Sequence, residues 1–202
     1  MNPKFPNAIL PLNKGRHAAT WLIYYEAAEA GVTWHFVDSG IDTGRVIANR
    51  TWPIDENESA LQLTQTGMLE GIDLFKSFIK ELLLDGDIVH DDYINHTLYE
   101  DIEAKQSYKT EIKLSKTIPN DGKIDIFSSN WSIYRLLRSV DYKPFDIFPA
   151  LKIEVKDQIY KVEKYRYEAH DPVEVSSRLG FLSDEEIVLC SPESRLILTV
   201  KK

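Results

Sequence analysis

The chain has 202 residues, 43% of them hydrophobic, enough for one large domain or two small ones around a packed core, which argues against wholesale disorder. A formal net charge of −8 argues against wholesale nucleic-acid binding, and a single cysteine, Cys190, excludes an internal disulfide. The charge is unevenly divided: residues 1–108 carry 8 Lys/Arg and 17 Asp/Glu, residues 109–202 carry 16 and 15, which points to two domains.

In chain order, the opening MNPKFPNAILPLNKG has no basic-then-apolar signal pattern, and no apolar run approaches the roughly 20 residues that cross a bilayer. A cytoplasmic protein without a membrane partner is expected. Residues 1–15, rich in Pro, Asn and Gly, read as a loop. Arg16 to Ala30 reads as a helix with Gly31 at its C-terminal glycine position. Val32 to Val37 reads as a strand closed by Ser39-Gly40, and Arg45 to Pro53 as a second strand. Ser59 to Leu84 is the clearest helix. Ser59 and Gln62 form a capping-box pair, and Leu61, Met68, Ile72, Phe75, Ile79 and Leu82 recur at helical spacing as its expected core face.

Residues 85–108 are acidic and weakly periodic, a linker. Within it, the spacing of His90, Asp91, Asp92 and His96 fits no metal-ligand template, so no metal site is assigned. Residues 119–122, Pro-Asn-Asp-Gly, mark a turn, and Asn130 to Val140 a short helix. From Pro149 the pattern alternates with period two through LKIEVKDQIYKVEKYRYEA, VEVSSRL, EEIVLC and RLILTV, which suggests a small antiparallel barrel or curled sheet. The stretch from Tyr160 to Glu168 alternates Lys/Arg with Tyr. It reads either as a surface for a nucleic-acid backbone or as an ordinary half-buried strand.

The run Ile9-Leu10-Pro11 with Gly15, then Trp21, then GVTWHFVDSGIDTGRVI at residues 31–47, resembles the formyltransferase family. Its members include methionyl-tRNA formyltransferase, the amino-sugar N-formyltransferases and glycinamide ribonucleotide formyltransferase. The helix over 59–84 falls where that family has a long helix. Residues 122–151 resemble the linker and first helix of the C-terminal barrel in the methionyl-tRNA and amino-sugar branches. The resemblance implies an α/β fold: the back half of a Rossmann-like formyltransferase domain (1–84), a linker (85–122) and a small OB-like antiparallel β-barrel (123–202). About ninety residues of the family's first half-domain have no counterpart in it. A sheet of only two or three strands is thin, so self-association, or pairing with a chain that carries the other half, is expected.

The family transfers a formyl group from 10-formyltetrahydrofolate to a primary amine, here an amine on a small molecule such as a nucleotide-linked amino sugar, or on aminoacyl-tRNA. By resemblance Asp42 is the catalytic carboxylate, His35 and Asp38 support its loop, and Pro11, Gly15, Gly40 and Gly44 shape the surrounding turns. The family's Asn-x-His falls on Lys4 and Pro6 without gaps, or on Asn2 and Lys4 with one. Lys4 offers a cationic donor to an oxyanion, although an ammonium is a point charge on a mobile stem. His17 and Arg16, with Lys14, sit near the expected acceptor entrance. Each has an ordinary alternative: Asp42 a turn residue, Asp38 a turn cap, His35 a buried neutral histidine, Arg16 and Lys14 a solvated helix start. Two functions stand side by side, a folate-dependent N-formyltransferase and a catalytically inactive relative that binds a partner or ligand.

Overall fold

The computed structural model describes residues 3–6, 8–10, 16–40, 44–85 and 117–202. The chain divides into two compact units, Met1–Thr117 and Ile118–Lys202.

The first unit contains β1 (Pro3–Lys4), α1 (Ala18–Tyr24), β2 (Glu29–Phe36), β3 (Val46–Pro53) and α2 (Ala60–Asp85). The strands form one antiparallel sheet in the order β1-β2-β3. Every residue of the central strand after Glu29 is buried, as its run of β-branched and aromatic side chains requires. Val32, Trp34 and Phe36 join Ile47, Ala48, Leu74 and Phe78 in a core beneath α2. On the alternate positions Thr33 is fully buried and takes the Leu10 amide on its Oγ1 at 3.1 Å.

Pro3–Lys4 pairs as β1 within the stretch read as a loop, and two further expected features change. The helix read over Arg16–Ala30 spans only Ala18–Tyr24. Glu26 turns left-handed at φ 56°, and Ala27 N closes the end by donating to Leu22 O at 2.9 Å. Ala30 and Gly31 belong to β2, opposite Trp52 and Thr51. The helix-forming run Glu26–Ala30 yields to strand pairing because Ala30 and Val32 gain burial there. Gly31 serves close packing instead of a cap: a Cβ there would lie 2.4 Å from Ile9 Cγ1 and 2.7 Å from Arg50 O.

The second change concerns α2. Its capping box forms as expected, with Ser59 N donating to Gln62 Oε1 at 2.9 Å and Gln62 N to Ser59 Oγ at 3.3 Å. The buried face, however, is Ala60, Leu63, Gly67, Gly71, Leu74 and Phe78. Of the expected face, Met68 and Ile72 are exposed, Leu61, Phe75 and Ile79 are half-buried, and the Leu82 side chain lies outside the described residues. Gly71 decides the rotation. The Trp34 indole donates to Gly71 O at 2.8 Å, and a Cβ on Gly71 would come 2.8 Å from the Phe5 ring. Phe5 stacks on Trp34 with centroids 4.6 Å apart, so the helix brings its smallest residues against the sheet's largest.

The second unit begins with a 3-10 turn (Pro119–Gly122), then β4 (Lys123–Ile124), α3 (Asn130–Ser139), β5 (Lys152–Val155), β6 (Gln158–Ala169), β7 (Leu179–Ser183), β8 (Glu186–Ser191) and β9 (Ser194–Lys201). Ser129 caps α3, accepting from Ser132 N at 3.1 Å. The strands form one sheet, β4-β5-β6-β9-β8-β7, parallel only at β4–β5. The alternation in β5 and β9 places Ile153, Val155, Leu196, Leu198 and Val200 in the core. The strand expected at VEVSSRL does not form: residues 173–178 are irregular, Val173 is exposed, and β7 starts at Leu179.

Candidate active site

The site is built at the carboxyl end of β2. A strand bulge falls between Trp34 and His35, so that Trp34 faces Ala48 while His35 faces Val46. Immediately beyond, Phe36 N donates to Arg45 O at 2.9 Å and closes the base of the 37–44 loop. Gly44 packs so tightly there that a Cβ would lie 1.6 Å from Phe36 O, which only glycine permits. Inside the loop, Gly40 N donates to Asp38 Oδ1 at 3.0 Å, an Asx turn on an exposed segment. Asp38 is thus a cap for the turn backbone. Asp42, the expected catalytic carboxylate, lies outside the described residues, as do Asn2, Pro11, Lys14 and Gly15, and the histidines and aspartates at 90–96.

Strand β1 brings Lys4 opposite His35 in the ladder, on the same face of the sheet and at the same end as the loop. Lys4 is exposed, whereas His35 is 2% exposed, with Nδ1 2.9 Å from Phe36 O. The imidazole is therefore a packed element under the loop, and its Nδ1–H ties the ring to the loop base in the tautomer that donates there. Lys4, His35, Asp38 and Gly44 converge at one end of the hairpin.

Arg16 and His17 enter from another element. His17 precedes α1 in a left-handed conformation (φ 59°), and its carbonyl accepts Thr20 N at 3.0 Å. Burial, reinforced by the neighbouring Arg16 charge, holds its pKa below the ordinary value, so its ring is neutral at pH 7. Arg16 is exposed.

A concavity of about 620 Å³ lies at the opposite end of the hairpin, lined by residues that include Trp52, Asp55, Glu58, Gln62, Thr66 and Leu69. Six residues of β3, 46–51, separate its Trp52-Pro53 floor from the 37–44 loop, roughly 20 Å of extended chain, so it takes no part in the constellation above. The sequence signal for it, an acidic run after Trp52-Pro53, reads equally as a helix start. Among the described residues no group of three or more His, Cys, Asp or Glu is placed to hold a metal ion, and no helix is long and apolar enough to cross a membrane.

Residues 6–75 match the family model of the formyl transferases. The methionyl-tRNA formyltransferase of Flavobacterium psychrophilum is 28% identical over 137 residues, covering 68% of this chain and 39% of the relative. That of Pelobacter propionicus is 39% identical over 56 residues, covering 28% of this chain and 18% of the relative. This chain therefore spans less than half the length of these curated relatives. Among solved structures, the N-formyltransferase of Helicobacter canadensis, in complex with folinic acid and dTDP-3-aminofucose, superposes with a TM-score of 0.65 at 21% identity, over 98% of this chain and 66% of that one. HypX of Aquifex aeolicus, in complex with tetrahydrofolic acid, gives 0.64 at 13% identity, over 97% and 31%. The α/β fold is that of formyltransferase structures.

Proposed function

We propose, from the premise that this chain belongs to the formyltransferase family, that it serves transfer of a formyl group from 10-formyltetrahydrofolate to a primary amine. A nucleotide-linked amino sugar is the first acceptor to test and methionyl-tRNA the second. The acidic balance suits a small acceptor better than tRNA. The observation that carries the reading is the glycine-pinned loop after β2: its base is fixed by Phe36 N to Arg45 O and by Gly44 against Phe36 O, and residue 42 is carried between. A stiff strand and a tight base are what a carboxylate needs to meet an amine in one orientation.

In this reading the neutral amine attacks the formyl carbon, the carbon–N10 bond breaks, and the proton lost by the amine is taken up through the Asp42 carboxylate and delivered to N10. The ammonium of Lys4, at the same end of the sheet, faces the oxyanion of the tetrahedral centre. His35 holds the loop base without touching substrate. The second unit is read as the OB-like barrel domain of the barrel-bearing branches.

Formyl transfer measured with each acceptor tests this directly. Turnover of one acceptor, abolished by Asp42→Asn and strongly reduced by Gly44→Ala, is the expected outcome. A specific feature favours a second reading, a non-catalytic binder: where the family has its Asn-x-His, this sequence offers Lys4 and Pro6 without gaps or Asn2 and Lys4 with one, and no histidine in either. Binding of a tetrahydrofolate analogue without turnover of either acceptor would select it, and absence of both binding and turnover would defeat both.

A further inference from the structure

Helix α2 carries a second apolar row beside the face packed on the sheet. It runs through Leu61, Met68, Ile72, Phe75 and Ile79, with Gln65 in the same row and Leu69 beside it. Phe75 also packs on Trp34, centroids 4.8 Å apart, and Leu61 and Ile79 are half-buried, so Met68, Leu69 and Ile72 form the exposed part of it. Met68 is 51% exposed, Leu69 69% and Ile72 48%. Steps of four and three alternate along the row 61-65-68-72-75-79, which is the seam of a coiled coil, with Leu, Met and Phe in one set and Gln, Ile and Ile in the other. Met68 and Ile72, one turn apart in the row, and Leu69 beside them make one exposed apolar patch, and adjoining exposed apolar side chains mark an interaction surface where isolated ones would not.

The row reads the same in both directions. About a two-fold axis at residue 70, Met68 faces Ile72, Gln65 faces Phe75 and Leu61 faces Ile79 of an antiparallel copy. The flanking charges reverse in the same sense. Glu58, half-buried two residues before α2 and accepting from Thr66 Oγ1 at 3.2 Å, lies at the amino end; Lys76 and Lys80 are exposed toward the carboxyl end, and an antiparallel copy sets Glu58 near Lys80. Glu70 and Asp73, farther round the helix, are held by Arg50 of β3 at 2.8 and 3.1 Å and stay out of the seam. Leu69 falls on the axis beside its own copy. A surface complementary to its own reversed image fits an isologous two-fold contact.

We propose that the exposed face of α2 docks on the same face of a second copy of this chain, forming an antiparallel helix pair centred on Leu69, Met68 and Ile72. At about 39 Å for 26 residues the helix is long enough for six seam layers. The proposal stands whether or not the chain transfers formyl groups.

Sedimentation equilibrium of the full chain in the micromolar range is expected to show a dimer. The double variant Met68→Glu/Ile72→Glu is expected to be monomeric with an unchanged far-UV circular dichroism spectrum, because both side chains point away from the core. In a Cys190→Ser background, mild oxidation should cross-link Leu69→Cys into a dimer and leave Ile79→Cys uncross-linked, since two copies of residue 79 would sit about 27 Å apart. Lys80→Glu should weaken the dimer and Lys80→Glu/Glu58→Lys restore it. A monomeric native chain, or cross-linking of Ile79→Cys as efficient as that of Leu69→Cys, would overturn the proposal.

Discussion

His17 shows what one residue's position does to its chemistry. It takes a left-handed backbone (φ 59°) at the entry to α1 and is half-buried there. Desolvation, with Arg16 adjacent, depresses its pKa from 6.5. A group depressed in the folded state is proton-free there while the unfolded chain still binds the proton, so its contribution to stability is present above about pH 6.5 and is lost as pH falls below it. His17→Asn keeps a side chain that tolerates the left-handed region and removes the titration. Urea midpoints from about pH 7.5 to 5.5 should therefore fall less steeply in the variant, and equal slopes would assign the acid loss elsewhere. Asp38 shows the other side of residue-level reading. Its carboxylate beside Gly40 was legible as a cap from the Asp-Ser-Gly spacing alone, because an Asx turn depends only on local geometry.

Elements are legible when local signals and tertiary demands agree. The capping box at Ser59 and Gln62 depends on neighbours in sequence and appears as read, whereas the alternation in β6 shifts phase at a bulge between Val162 and Lys164, from Tyr160 and Val162 to Tyr165 and Tyr167. The end of α1 and the face of α2 depend on partners far along the chain. Ala30 is drawn into β2, and Gly71 is chosen for contact because Trp34 and Phe5 need the room. The candidate site divides the same way. The glycine-flanked loop could be found by pattern, while the placement of Lys4 opposite His35 needed the ladder. A third feature had no sequence signal. Arg178, just before β7, donates to Ile126 O at 3.2 Å, Ser128 O at 2.6 Å, Cys190 O at 3.0 Å and the Asn130 side-chain oxygen. It ties one end of the second sheet to the segment that follows the strand at the other end. Asn130, 1% exposed, donates onward to Leu189 O and Ser194 O at 3.0 and 2.9 Å. Arg178→Ala removes the donor from several partly buried acceptors, and we expect a loss of about 2–3 kcal/mol. Arg178→Lys should recover little of it, because an ammonium cannot span the fork of acceptors. Denaturant titration of the three proteins measures both effects.

At the scale of the whole molecule, each of the two compact units has buried apolar residues of its own, among them Val32, Trp34 and Phe78 in one and Ile124, Leu196 and Val200 in the other. A lesion in one core should therefore act on that unit's own cooperative transition. Gly71→Ala forces a Cβ to within 2.8 Å of the Phe5 ring, pressed between helix and Trp34, and overpacking of this kind costs about 1–3 kcal/mol. For domains of this size each kcal/mol moves a midpoint by roughly 4–8 °C. Calorimetry of the full chain should resolve two transitions, with Gly71→Ala lowering one and Arg178→Ala the other. The double variant should show both shifts at once, since sites without shared partners add. If either single variant moves both transitions together, the units unfold as one body, and stability of the sheet that carries the loop after β2 would then depend on the six-stranded sheet as well as on α2.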